Sequence, residues 1–374
     1  MRRKKNGNII RIRMLFMQLL LTAYLTCGCG KNDEIHVVQI WESGGAGQGE
    51  DEEPAGGDEK AGVCIAMVTD EGTVQDASFN QGVWEGLQSF SKSSGAQVTY
   101  IESEKHEDLP ENFQKLTDSG YGLVWGVGYN CAQPLLECAG KNPATQYAIV
   151  DNAYDDPPEN VTGVVFRSQE SSFLTGYIAG AMTKTGKLGF VGGSQIASVD
   201  SFRYGFMGGA AYAAQVYGKQ VDFLCDYTDS FEDPEKGKQI AKEEYAQGCD
   251  IVFHAAGGSG VGVIEAAKET GHFVIGVDRD QSYLAPEHVL TSALKNVKVA
   301  VRSVSESFAL GVKTGGSNLS LGLTEGAVGI PAEHKNYRDE IYDATLLVED
   351  SIKAGQLKPP ATEEEYASFL ESLQ

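Results

Sequence analysis

Positive charge is scarce in this chain. Over 374 residues, 30 Lys and Arg stand against 52 Asp and Glu, a formal net charge of −22. Phosphate backbones are held by basic surfaces, so this deficit argues against a nucleic-acid partner. Seven cysteines are present but no C-x-x-C, which removes zinc-ribbon and thioredoxin-type sites. Six histidines are scattered without an H-E-x-x-H, and His254, inside an apolar run, reads as strand-end packing and not as a ligand. GGSGVG at 257–262 is neither G-x-G-x-x-G nor G-x-S-x-G. TKTGKLGF at 183–190 contains Gly-Lys but lacks the hydroxyl residue and spacing of a phosphate loop. The segment DEGTVQDASFN at 70–80 has no Asp or Asn at its third or fifth position, as a calcium loop would require. No Ser–His–base set can be named. The expectation is therefore a protein with no cofactor, no metal and no catalytic residues, a binder and not an enzyme.

The N-terminus carries the one local excess of positive charge. Arg2, Arg3, Lys4, Lys5, Arg11 and Arg13 precede the apolar run MLFMQLLLTAYL at 14–25. That run is too short to span a bilayer comfortably, and charge followed by apolar residues is the order of a secretory signal peptide. It ends in LTCGCG, which resembles a bacterial lipobox. Gly28 before Cys29 fits better than Thr26 before Cys27, so Cys29 is the expected lipidation site, after a signal segment at 1–28. The following 29–61 stretch, rich in Gly, Glu and Asp from 44 onward, reads as a flexible acidic tether. The expected location is the extracytoplasmic face of the cell membrane. Cys64 and Cys249 read as small core residues. Cys131 and Cys138, on one expected helix, would lie about 10 Å apart along its axis, too far for a disulfide.

From 63 onward short β-rich runs alternate with helical patterns. The strands are expected at VCIAMV, QVTYI, LVWGV, QYAIV, VTGVVF, KLGFVGG, VDFLC, DIVFHA, HFVIGV and HVLTSAL. This alternation, with 45 glycines for strand-to-helix turns, predicts α/β architecture with parallel sheets covered on both faces. Ten strands are too many for one comfortable sheet, so two lobes of about five are expected. The break is placed near 184–187, with the glycine-rich 312–330 region as a later crossing. The N-terminal lobe is then 62–185 plus 295–325, and the C-terminal lobe 186–294 plus 326–374.

Acids fall at the ends of these strands. Asp70 follows VCIAMV by one residue, Asp151 directly follows QYAIV, and Asp278 directly follows FVIGV. Gly257 and Gly258 follow DIVFHAA, where a glycine-rich turn lets backbone N–H groups approach a ligand. Ligands of open α/β sheets bind outside the carboxyl ends of the strands. Helix N-capping explains any one of these acids equally well. Three together, with Phe79 and Asn80 beside the first, favour a pocket.

Six ordered motifs carry a family resemblance over about 63–327. They are TDEGTVQDASFNQGVWEGL, YAIVDNAY, ESSFLTGYIAGAMTKTGKLGFVGG, YTDSFEDPEKGK, DIVFHAAGGSGVGVIEAAKETG and VIGVDRDQ…LTSALKNVKVAV. The chain thereby resembles the basic membrane protein family of bacterial lipoproteins, nucleoside-binding subunits of ABC importers. The resemblance implies a type I periplasmic-binding fold with three interlobe crossings and a nucleoside, with purine expected, in the cleft. It implies Asp70, Phe79 and Asn80 as first-lobe contacts and Asp151 on the base edge. Phe231 becomes the second aromatic wall, and Gly257, Gly258, Asp278 and Lys295 the ribose-facing set. Lys295 is expected to pair with Asp278. Asp76 and Ser78 are read as caps of the helix that Asn80 opens, and Glu71 as solvent-facing. Implied partners are a permease and an ATPase, with the protein itself a monomer. A sugar receptor of the same fold and a nucleoside-sensing lipoprotein remain as alternatives. The segment SQIASVDSF lacks a proline common in the family, which leaves the position of Phe202 open.

Overall fold

The computed structural model describes residues 62–70 and 72–373. The expected signal segment, Cys29, the tether and Glu71 lie outside the described residues.

The first part of the chain runs through Cys64–Thr69 (β1), Phe79–Ser94 (α1), Gln97–Ile101 (β2), Leu109–Asp118 (α2) and Leu123–Val127 (β3). Ala132–Lys141 (α3), Gln146–Val150 (β4) and Val161–Phe166 (β5) complete it. The second part comprises Ser168–Met182 (α4), Lys187–Gly192 (β6), Ala197–Tyr217 (α5), Asp222–Tyr227 (β7) and Pro234–Ala246 (α6). Ile251–Ala255 (β8), Ser259–Thr270 (α7), Phe273–Asp278 (β9) and Val289–Lys295 (β10) follow. The chain ends with Val297–Ala309 (α8), Ser317–Leu321 (β11), Val328–Gly329 (β12), Asp339–Lys353 (α9) and Glu363–Ser372 (α10).

Two six-stranded sheets result, ordered β11-β5-β4-β3-β1-β2 and β12-β10-β9-β8-β6-β7. Every pairing is parallel except that of β12 with β10. Helices cover both faces, which is why β3 is buried at all five positions and reads as an unbroken apolar run. This is the two-lobed periplasmic-binding-protein-like fold. The strand order reverses between β1 and β3 in one sheet and between β6 and β8 in the other, so each lobe opens a crevice at those carboxyl ends.

The chain crosses between lobes three times: from β5 to α4, from β10 to α8, and from β11 to β12. The first crossing differs from the expected break at 184–187, because α4 belongs with the second sheet. It packs on α5 and β10. Backbone approach decides the matter: a Cβ at Gly209 would lie 1.9 Å from the Phe173 carbonyl, and one at Gly176 would lie 2.1 Å from that of Phe206. Strand-by-strand reading assigns a helix to the strand before it and cannot see such a seam. Arg167 fixes the crossing. Its guanidinium pairs with Glu170 and Glu325, each at 2.6 Å, and donates to the Ser320 carbonyl at 2.9 Å, tying the first crossing to the third.

The five described cysteines are free thiols, and Cys64 is half-buried where a core position was expected. His254 is fully buried in β8, and burial pushes its imidazole down to about 4, so it stays neutral. No helix among the described residues is long and apolar enough to cross a membrane.

Glu244 on α6 is also fully buried, its carboxylate filling the notch at Gly189, where a Cβ would lie 2.2 Å from Oε2. Burial, then repulsion by Asp226, pushes its carboxyl well above the usual range. The folded protein thus holds a proton that the unfolded chain releases above its ordinary carboxyl pKa, so this group costs increasing stability as pH rises. Glu244→Gln should raise Tm at pH 8 by several degrees, about 2–4 °C per kcal/mol regained in a body of this size. The gain should shrink toward pH 4. Melting curves across that range check it, and a destabilised variant at pH 8 would contradict it.

Candidate functional site

The two crevices face each other across a cavity of about 250 Å³, close to the lower end for small-molecule sites. Its first-lobe wall is made by residues at strand ends: Asp70 after β1, Gly128 and Tyr129 after β3, and Asp151 after β4. Phe79 and Asn80 add the first turn of α1. The second-lobe wall is made by Ile196, Val199 and Phe202 around the start of α5, by Phe231 and Glu232, by Gly257 and Gly258 after β8, and by Asp278 closing β9. Eight of the nine expected ligand contacts therefore line one space. The ninth, Lys295, lies just behind it.

Lys295 is 4% exposed and ends β10. Its ammonium donates to Asp151 and sits 4.4 Å above the Phe79 ring, with Phe166 and Phe202 at 5.4 and 5.9 Å. A desolvated cation over aromatic faces is held by the ring quadrupoles as well as by its carboxylate. The hydrogen-bonded partner is Asp151 where Asp278 was expected, although Lys295 still acts on Asp278 through its charge. Burial pushes the Asp278 carboxyl up to about 6. Lys295 and the Ser78 hydroxyl oppose that rise, and Asp151 and Asp76 add to it.

Both of these acids carry backbone strain. Asp151 has φ 68° and Asp278 φ 64°, left-handed values that Asp tolerates better than most residues. The structure maintains them by fixing the flanking backbone, for example Asp151 N–H to the Val164 carbonyl at 2.8 Å.

Asp76 caps α1, accepting from the N–H groups of Ser78, Asn80 and Gln81 at 2.9, 2.8 and 3.1 Å. Ser78 does not cap. Its hydroxyl crosses the cleft and donates to Asp278. Arg279 also reaches across, to Glu85 of α1 at 3.4 Å. The lobes are thus in contact around the cavity.

Phe231 is positioned by glycines. A Cβ at Gly193 would lie 2.2 Å from its ring, and Gly257, at φ 53°, approaches its Cβ. These glycines seat an aromatic wall, a role beyond the ligand approach expected of Gly257 and Gly258. Glu232 escaped the sequence reading as a wall residue, Phe202, whose position was left open, proves to be on the wall, and Ser78, read as a cap, bonds Asp278 beside the cavity. The position of Gly193 directly after β6 was the one available signal for that side of the cleft.

Two parallel-sheet lobes, three crossings and an interlobe cavity walled by strand ends define a two-lobed solute-binding protein. Residues 64–363 match the family described as ABC transporter substrate-binding protein, PnrA-like. Basic membrane protein A of Borreliella burgdorferi is 38% identical over 314 residues, covering 83% of this chain and 91% of that protein. The CD4+ T-cell-stimulating antigen of Listeria innocua is 35% identical over 339 residues, covering 85% and 94%. Among solved structures, an ABC transporter solute-binding protein from Aeropyrum pernix K1 superposes with a TM-score of 0.76 at 26% identity, covering 83% of this chain and 97% of its own. The chain belongs to the Bmp, PnrA-like family of ABC transporter substrate-binding proteins.

Lys295→Met would leave Asp151 and Asp278 buried without their cation. Breaking a buried pair from one side costs about 3–5 kcal/mol. Loss of that size is expected at pH 7 in urea denaturation. It should diminish toward pH 5, because Asp278, whose carboxyl is already pushed up to about 6, takes up a proton there and no longer stands as an uncompensated charge. A pH-independent loss would argue against this electrostatic role.

Proposed function

We propose that this protein captures nucleosides, purine nucleosides in particular, in the interlobe cavity and delivers them to an ABC importer. The observation that carries the reading is one cavity with Phe79 and Phe231 on opposite lobes and acids at its ends. A nucleoside has a flat apolar face and, at its other end, a pair of hydroxyl donors. Aromatic walls stack the base with about 0.5–1.5 kcal/mol beyond the area buried. Carboxylates accept from paired hydroxyls in charge-assisted bonds. Asp70, Asn80 and Asp151 serve the base, while Asp278, Lys295, Gly257 and Gly258 serve the ribose. Asp151 and Lys295 are already paired, so that acid meets the ligand with its charge compensated.

Capture proceeds by hinge closure. The ligand docks on one lobe and recruits the other, and the closed form is what the permease and its ATPase recognise. Cys29 carries the lipid, and residues 29–61 join it to a monomeric body at the outer face of the membrane.

The test is a thermal-shift panel of nucleosides and pentoses, with mass spectrometry of any ligand that co-purifies. Ligand at a hundredfold excess over its dissociation constant should stabilise the protein by about 2.7 kcal/mol. A shift with free sugars and none with nucleosides would end this reading. Asp278→Ala removes the acceptor of two hydroxyls. With about 1.5–3 kcal/mol for each hydrogen bond to a charged group, affinity should fall at least a hundredfold, measured by calorimetry. In the wild type, affinity should decline as pH falls below about 6, where Asp278 takes up a proton and ceases to be a strong acceptor. An affinity flat from pH 7.5 to 5 would contradict the ribose assignment.

A further inference from the structure

We infer that Gln281 is a positioning residue of the cleft, which holds the Ala77–Ser78 backbone of the first lobe against Asp278 of the second and so favours the closed form. Gln281 is fully buried, three residues beyond the end of β9. Its side-chain oxygen accepts from the Val277 N–H at 2.9 Å, and its own N–H donates to the Ser292 hydroxyl at 3.2 Å. The Val277 bond fixes which end of the amide is oxygen, because an N–H cannot face an N–H. The amide nitrogen must then point the other way. There it meets the Ala77 carbonyl at 3.4 Å, across the lobe boundary.

Ala77 is an unusual recipient. It has φ 54°, a left-handed conformation that a residue with a Cβ and no polar side chain adopts only under constraint. Both of its backbone polar groups are held by glutamine side chains. Its N–H donates to Gln81 Oε1 of its own lobe at 3.1 Å, and its carbonyl accepts from Gln281 of the other. The next residue is Ser78, whose hydroxyl donates to Asp278. One side chain therefore fixes both members of that contact: Asp278 through the preceding Val277, and Ser78 through the preceding Ala77. When the lobes part, Gln281 keeps its bonds to Val277 and Ser292 and loses Ala77. The strained turn is then free to relax.

The closure role stands without reference to the ligand, and only its kinetic arm rests on the nucleoside reading. Gln281→Met keeps the volume and removes both side-chain bonds. Gln281→Glu, used if the first variant fails to fold, keeps the acceptor for Val277 and removes the donor to Ala77. Small-angle scattering of ligand-free protein at pH 7.5 should give a larger radius of gyration for either variant than for the wild type. An equal radius would overturn the inference. The double variant Ala77→Gly, Gln281→Met should recover the compact form, because glycine adopts the turn without strain. A merely structural defect would not be rescued, and a failure to recover would count against the assignment. With a nucleoside in stopped flow, release should accelerate about tenfold while capture changes by less than twofold, since a contact made only on closure acts on the off-rate. An unchanged off-rate in a protein that binds nucleoside would also overturn it. If no nucleoside binds, the scattering arm remains readable, so the two failures are distinct.

Discussion

The buried ammonium of Lys295 is the constraint around which the cleft is organised. It ends a strand of the second lobe, bonds an aspartate of the first, and lies over the ring of Phe79. A charge removed from water must be compensated locally, and most of the groups that compensate this one are walls of the cavity. Asp151 supplies the counter-charge, Phe79 and Phe202 supply polarisable faces, and Asp278 feels its field. The Lys295–Asp151 pair therefore exists only when both lobes contribute. This links folding of the crossings to the geometry of binding.

The acids around the cavity illustrate how position separates roles among like residues. Asp76 spends its oxygens on three backbone N–H groups and serves the helix start. Asp151 is held by a cation. Asp278, with burial as its dominant influence and one hydroxyl donor from across the cleft, is pushed up to about 6. Such a group is suited to receive donors from an incoming ligand, since a better set of donors lowers its pKa and releases its proton. Contacts across the boundary, from Ser78, Gln281 and Arg279, bring the lobes together around the same residue and its neighbours.

Much of the architecture was legible in the chain. Ten runs were read as strands and all ten are strands: the central ones because burial on both faces leaves continuous apolar segments, the edge strands β2 and β7 because β-branched and aromatic residues mark them even though they are only partly buried. The acids at three of those strand ends line the cavity for the same reason: chain order puts them at the carboxyl edge, where crevices form. The place of α4 was not legible. Its sequence reports a helix apolar on most sides, and only the approach of its glycine-lined face to α5 reveals which lobe it joins.

The sequence by itself determined the two-sheet architecture, the acids at the strand ends and the capping of α1 by Asp76, since each follows from local spacing. Tertiary structure alone decided that Lys295 bonds Asp151, that Ser78 turns from its helix to Asp278, and that Gly193 seats Phe231. Those contacts join residues 38 to 200 positions apart. Partners at such separations are selected by how strands stack within a lobe, as for Gly193 and Phe231, or by how the two lobes meet across three crossings, and no local pattern of residues encodes either.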